Sequence, residues 1–130
     1  MANQITFDST KSDLGIILNF KGVMKLGYAV GLTSDGITWI WKTKGQNSTE
    51  QALDIAKINI PQLLNSLDGK FLSFQFVYQG LDTNLPNYSI SVSFSQEGNQ
   101  IGNAFTLPTD GGKLTGEKQS TSLFVQLIKQ

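Results

Sequence analysis

Residues 88–95 read Tyr-Ser-Ile-Ser-Val-Ser-Phe-Ser, an unbroken alternation in which Tyr88, Ile90, Val92 and Phe94 point one way and Ser89, Ser91, Ser93 and Ser95 the other. A period of two belongs to a β-strand, whose successive side chains leave opposite faces, so this stretch is a strand with one face in a core and the other toward water. Its neighbours repeat the pattern. Upstream, FLSFQFVYQ (71–79) sets Leu72, Phe74, Phe76 and Tyr78 against Ser73, Gln75 and Gln79. Downstream, Gln96-Glu97-Gly98-Asn99 has the length and the glycine of a hairpin turn, leading into a strand that buries Ile101, Phe105 and Leu107.

The first half follows the same logic. Leu14, Ile16, Leu18 and Phe20 share one face of LGIILNFK, and Leu26, Tyr28, Val30 and Leu32 one face of KLGYAVGLT. Ser34-Asp35-Gly36 marks a turn into ITWIWKTK, where alternation places Ile37, Trp39 and Trp41 together and Ile40 opposite. The last strand, TSLFVQLIK, alternates Leu123, Val125 and Leu127 with Phe124, Gln126 and Ile128; apolar residues on both sides predict a central strand or one covered by a partner. Between the halves, Ala56, Ile58 and Ile60 alternate as a strand, and Pro61 suits the first position of a short helix ending at Asp68-Gly69. TLPTDGGKLTGEKQS (106–120) reads as the longest loop and LDTNLPN (81–87) as the second.

The expected fold is therefore all-β, an antiparallel two-layer β-sandwich of Greek-key or jelly-roll type. One domain spans residues 1–130, with one short helix near residues 61–67. A closed β-barrel is the alternative. With 39% hydrophobic residues in 130, a core held by apolar packing needs no disulfide or metal.

Composition narrows the chemistry. The chain has no Cys, no His and no Arg, and its ten Lys balance ten acidic residues. Imidazole-based catalysis, zinc and haem sites and thiol redox chemistry lack their ligands, so no cofactor and no metal is expected. An Arg-free, neutral chain does not predict nucleic-acid partners. No run is long and apolar enough for a membrane span, and MANQITFDSTKSD lacks the basic and apolar regions of a secretory signal, which predicts a cytoplasmic product as synthesised, with release or incorporation into a particle open.

Three features are candidates for function. Trp39 and Trp41 on one strand could form a platform for sugar rings, Trp41 lying nearer the strand end; the competing reading puts both in the core. Asp82, Asn84 and Asn87 in one loop and Asp110 in another could hydrogen-bond a sugar or help hold calcium, although neither loop has calcium-loop spacing and both suit plain turn chemistry. Finally, serine and glutamine rows, zero net charge and terminal strands with few charges favour self-association, with Ile5, Phe7, Phe124 and Ile128 as its candidate residues. The expected function is thus a non-catalytic sandwich acting through its surfaces, first as a self-assembling subunit (an oligomer, filament or inclusion particle), second as a carbohydrate-binding, lectin-like module. A glycoside-processing enzyme comes third; it would use paired carboxylates drawn from Glu50, Glu97, Glu117 and seven Asp.

Overall fold

Nine strands form two packed sheets in a computed structural model that describes residues 3–47 and 53–130, with the backbone path alone for residues 53, 54 and 109–111. The strands are β1 (Asn3–Phe7), β2 (Gly15–Lys21), β3 (Met24–Thr33), β4 (Trp39–Gln46), β5 (Leu53–Asn59), β6 (Phe71–Gly80), β7 (Asn87–Gln96), β8 (Asn99–Lys113) and β9 (Lys118–Lys129). One sheet has the order β1-β9-β6-β3-β4 and the other β5-β2-β7-β8. It is the expected two-layer sandwich, and the sheets stay open rather than closing into a barrel. Among the described residues every pairing is antiparallel except β1 beside β9.

Alternation explains the core. Leu14, Ile16, Leu18 and Phe20 from β2 and its lead-in, Leu72, Phe74, Phe76 and Tyr78 from β6, and Ile90, Val92 and Phe94 from β7 are all buried between the sheets. Phe76 meets Phe20 edge to face at 6.4 Å, and Phe74 meets Phe94 the same way at 6.2 Å. These are favoured geometries, because a ring's positive edge meets a negative face. Leu123, Val125 and Leu127 of β9 complete the layer, and Phe105 packs against it from β8.

Connections follow local chemistry. Glu97 and Gly98 both adopt positive φ, 52° and 81°, the two-residue turn whose twist matches a hairpin, and Gln96 pairs with Asn99 across it. The short helix expected near 61–67 is a single 3-10 turn, Leu64–Ser66, because Leu63 is still extended; Leu64 and Leu67, three apart, both face the core. The long loop expected over 106–120 shrinks to residues 114–117. β8 continues to Lys113, since its ladder with β7 skips residues 108–111 between Leu107 and Gly112 and then resumes opposite Tyr88 and Asn87. At that point Gly112 leaves room for the Tyr88 ring and Pro108 that a Cβ would strike.

Candidate functional site

The hairpin of β3 and β4 carries both tryptophans and a break in its pairing. Its ladder runs in register from Gly27 opposite Gln46 to Leu32 opposite Trp41, then jumps to Thr33 opposite Trp39, leaving Ile40 as an extra residue. A one-residue bulge switches the face of everything beyond it. Trp41 consequently shares the inner face with Leu32 and packs against the core, whereas Trp39 emerges on the outer face, 36% exposed. This corrects the expectation that the two tryptophans share a face and that Trp41 would be the one available to a ligand. Ile37, expected on the same face, lies in the preceding turn and is 83% exposed.

That turn is held by its own side chains. The Thr33 hydroxyl donates to the Thr38 carbonyl at 2.8 Å and accepts from the Gly36 amide at 2.9 Å. The Asp35 carboxylate accepts from the amides of Thr38 (2.7 Å) and Ile37 (2.8 Å), and these two bonds hold its carboxyl down at about 2. A carboxyl whose folded value lies below its unfolded one stabilises the turn while ionised; this contribution is complete above about pH 4 and is lost as pH falls towards 2. Tryptophan emission should therefore shift between pH 4 and 2 as the entry to β4 loosens, and Asp35→Asn, which keeps an acceptor but does not titrate, should abolish that transition. The same transition in the variant would assign it to another group.

Trp39 lies over Gly31. A Cβ at that position would sit 2.5 Å from Cε3 and Cζ3 of the indole, so glycine provides the space the ring occupies. Beside it opens a cleft of about 100 Å³ lined by Ala29, Gly31, Trp39, Lys42, Ser73 and Gln75. Lys42 Nζ stands 5.3 Å from the Trp39 ring centroid, within cation–π range. One strand further on, Phe71 and Phe124 stack at 4.9 Å and 18°, with Phe124 40% exposed next to Ser73. Gly31, paired with Lys42 one step before the bulge, was the sequence signal for this arrangement: a strand position without a side chain marks a close approach.

The other candidate residues are dispersed. Asp82 is occupied by its own turn, its carboxylate accepting the Asn84 amide at 2.9 Å and its carbonyl the Leu85 amide at 3.0 Å. Asn87 accepts a hydrogen bond from Lys113, and Asn84 and Asn87 line a depression with Lys21 and Pro86. Trp41 belongs to the other end of β3, roughly 25 Å away at the rise of a strand, because Leu81 bonds to Val23 just before β3 begins. The Asp110 side chain lies outside the described residues, as does Glu50. Glu97 and Glu117 sit at opposite ends of the sandwich and flank no common cleft: Glu97 is in the β7–β8 turn, while Glu117 is in the loop whose Leu114 bonds to Pro86 just before β7. Among the described residues no three Asp or Glu converge as a metal site would require. Tyr78 and Tyr88 join the two sheets through their hydroxyls at 2.7 Å; burial and then that bond push the Tyr78 hydroxyl well above the usual phenol range.

The self-association residues divide as well. Ile5 and Phe7 are core residues, so β1 cannot offer them to a neighbour. β9 pairs with β6 over residues 118–126 and with β1 only over residues 125–129, so residues 118–124 keep one open side; Phe124 and Ile128 lie on the outer face. Among the described residues the open edges are β1, residues 118–124 of β9 and β4 in one sheet, and β5 and β8 in the other. β1 and β8 flank the same side of the sandwich, with Ile5 against Gly102, and a notch of about 390 Å³ lies between them, lined by Gln4, Ile5, Thr6, Gly102, Asn103 and Phe105. Compared with family models, curated proteins and solved structures, the chain matches none. Among the described residues no helix is long and apolar enough to cross a membrane.

Proposed function

We propose that this chain is a non-catalytic sandwich that assembles with copies of itself, flank to flank, through β1 and β8. One observation carries the reading: the two edges differ in how they are protected. β4 holds Lys42 and Lys44, and β5 holds Asp54 and Lys57, the charges that normally keep an edge from pairing with another chain. β1 and residues 99–109 of β8 hold no charged residue, Asp110 and Lys113 coming only at the far end of β8, and the walls of the notch between them are uncharged. An edge strand exposes unpaired amide and carbonyl groups, and desolvating them against a second copy removes no charge from water. The bulge at 102–104 twists the middle of β8 away from regular pairing, so β1 and residues 105–107 are the segments that extend the sheets. A two-fold contact places the same flank on both partners, which needs only self-complementarity.

Light scattering over a concentration series tests this. The native chain should reach twice its 14.2 kDa mass at high concentration. Thr6→Lys and Ala104→Lys, both at exposed positions, should each weaken association at least about tenfold by placing like charges across the two-fold axis, with the thermal midpoint unchanged. A strictly monomeric native chain at every concentration, or variants that associate as well as the native chain, would overturn the proposal.

A further inference from the structure

The outer face of the five-stranded sheet carries a second, independent feature. Its strands β1, β9, β6, β3 and β4 contain not one Asp or Glu, and Lys25, Lys42, Lys44 and Lys118 all fall on its outward positions, although the chain as a whole is neutral. Many acidic residues are instead at turns: Asp8, Asp35, Asp82 and Glu97. A neutral protein thus presents one cationic face. On that face the bulge turns Trp39 outward over Gly31, with Lys42 at 5.3 Å from its ring and the side chains of Ser73 and Gln75 across the cleft.

We propose that this cleft binds a carboxylated sugar, one ring of a uronate-bearing glycan. Three properties of the ligand follow from three of the site. The part of the indole that Gly31 and Lys42 leave uncovered packs well against the C–H face of a pyranose, which is apolar where its hydroxyls are equatorial. Ser73 and Gln75 supply hydroxyl and amide groups that donate to and accept from ring hydroxyls, as a sugar requires and a lipid tail does not. Lys42, and Lys44 two residues further along the same strand face, provide the cation for a carboxylate, while the absence of acidic residues from these strands leaves that charge uncompensated by the strands themselves. A volume of about 100 Å³ suits part of one ring and no folded partner. The site lies on the sheet face formed by β3, β4 and β6, away from the β1–β8 flank, so it is independent of assembly.

The probe is trigalacturonate, with maltotriose as its uncharged counterpart, titrated into the full chain at low ionic strength and followed by calorimetry. Saturable binding of trigalacturonate is expected, at least tenfold tighter than maltotriose and weakening with added salt, as an exposed charge contact must. Trp39→Ala should weaken it at least about tenfold, and Lys42→Gln about fivefold, while Lys25→Gln, at the far end of β3, leaves it unchanged. Gly31→Ala, which displaces the indole, should reproduce the Trp39 loss in a chain whose thermal midpoint is checked separately. No binding at millimolar ligand, equal binding of both sugars, or full affinity in Trp39→Ala would each overturn the assignment.

Discussion

Phe76→Ala should lower stability by about 3–5 kcal/mol, the usual cost of removing a fully buried phenylalanine. Phe76 is fully buried in the middle of β6, a strand paired on both sides by β3 and β9. Its ring meets Phe20 from the opposing sheet edge to face at 6.4 Å and Phe74 of its own strand at 6.5 Å. Truncation forfeits the transfer of the ring out of water and also leaves a cavity, because neighbours fixed by two hydrogen-bonded ladders cannot collapse far into it. A domain of this size is stable by only about 5–15 kcal/mol, so one such change removes a large share of the margin. The thermal midpoint should fall by roughly 10–15 °C. Phe76→Leu, which refills most of the space, should recover more than half of that loss, and a midpoint for Phe76→Ala within about 2 °C of the native value would contradict the placement of this ring in the core.

How much of this was legible in the sequence depends on which interactions fix each feature. Residues 88–95 and 71–79 declared their strands because one face of each is buried and the other is not, and burial alone imposes the period of two. The turn at 96–99 was legible because its geometry needs a glycine. Trp39 was misplaced for a physical reason: alternation counts residues, whereas the face a residue takes beyond Thr33 is set by the bulge at Ile40, and that bulge is fixed by the Thr33 and Asp35 hydrogen bonds of the preceding turn. Residues 106–113 were misread because Pro and Gly density signals a turn locally, while the pairing of Gly112 with Tyr88 depends on a strand some twenty residues earlier. The edges were the least legible feature. That β1 ends the sheet and covers only residues 125–129 of β9 follows from their parallel pairing across nearly the whole chain, which no local pattern encodes. Composition still pointed towards the candidate surfaces. The uncharged flank is visible in the letters of 3–7 and 99–109, but only the fold brings those segments side by side.

Gln96→Ala should be the most damaging change at a polar residue. Gln96 is buried at the end of β7, and its amide spans the chain crossing that takes β1 in one sheet to β2 in the other. Oε1 accepts the Asp8 amide at 2.9 Å, and Nε2 donates to the carbonyls of Asp8 at 2.9 Å and Asp13 at 3.0 Å. The next residue strengthens the clip, the Glu97 amide donating to the Asp13 carboxylate at 2.9 Å. Truncation orphans three backbone groups at once in a part-buried setting, each costing about 1–3 kcal/mol where water cannot reach it. Partial wetting reduces the sum, and a loss of about 2–4 kcal/mol is expected, read from urea unfolding. Gln96→Glu tests the mechanism rather than the volume. A carboxylate there keeps the acceptor for Asp8 but faces two carbonyl oxygens with no proton to give, so its folded pKa is raised and the neutral acid is the form that fits. This variant should be destabilised at pH 7 and regain stability as pH falls towards about 4, opposite in sign to the Asp35 turn, whose contribution is lost in acid. Equal destabilisation of Gln96→Glu at both pH values would mean that shape, not hydrogen bonding, is what Gln96 supplies. The two roles of β1 also separate here: Gln96→Ala lowers the unfolding midpoint of the monomer, whereas Thr6→Lys lowers the assembled fraction and leaves that midpoint where it was.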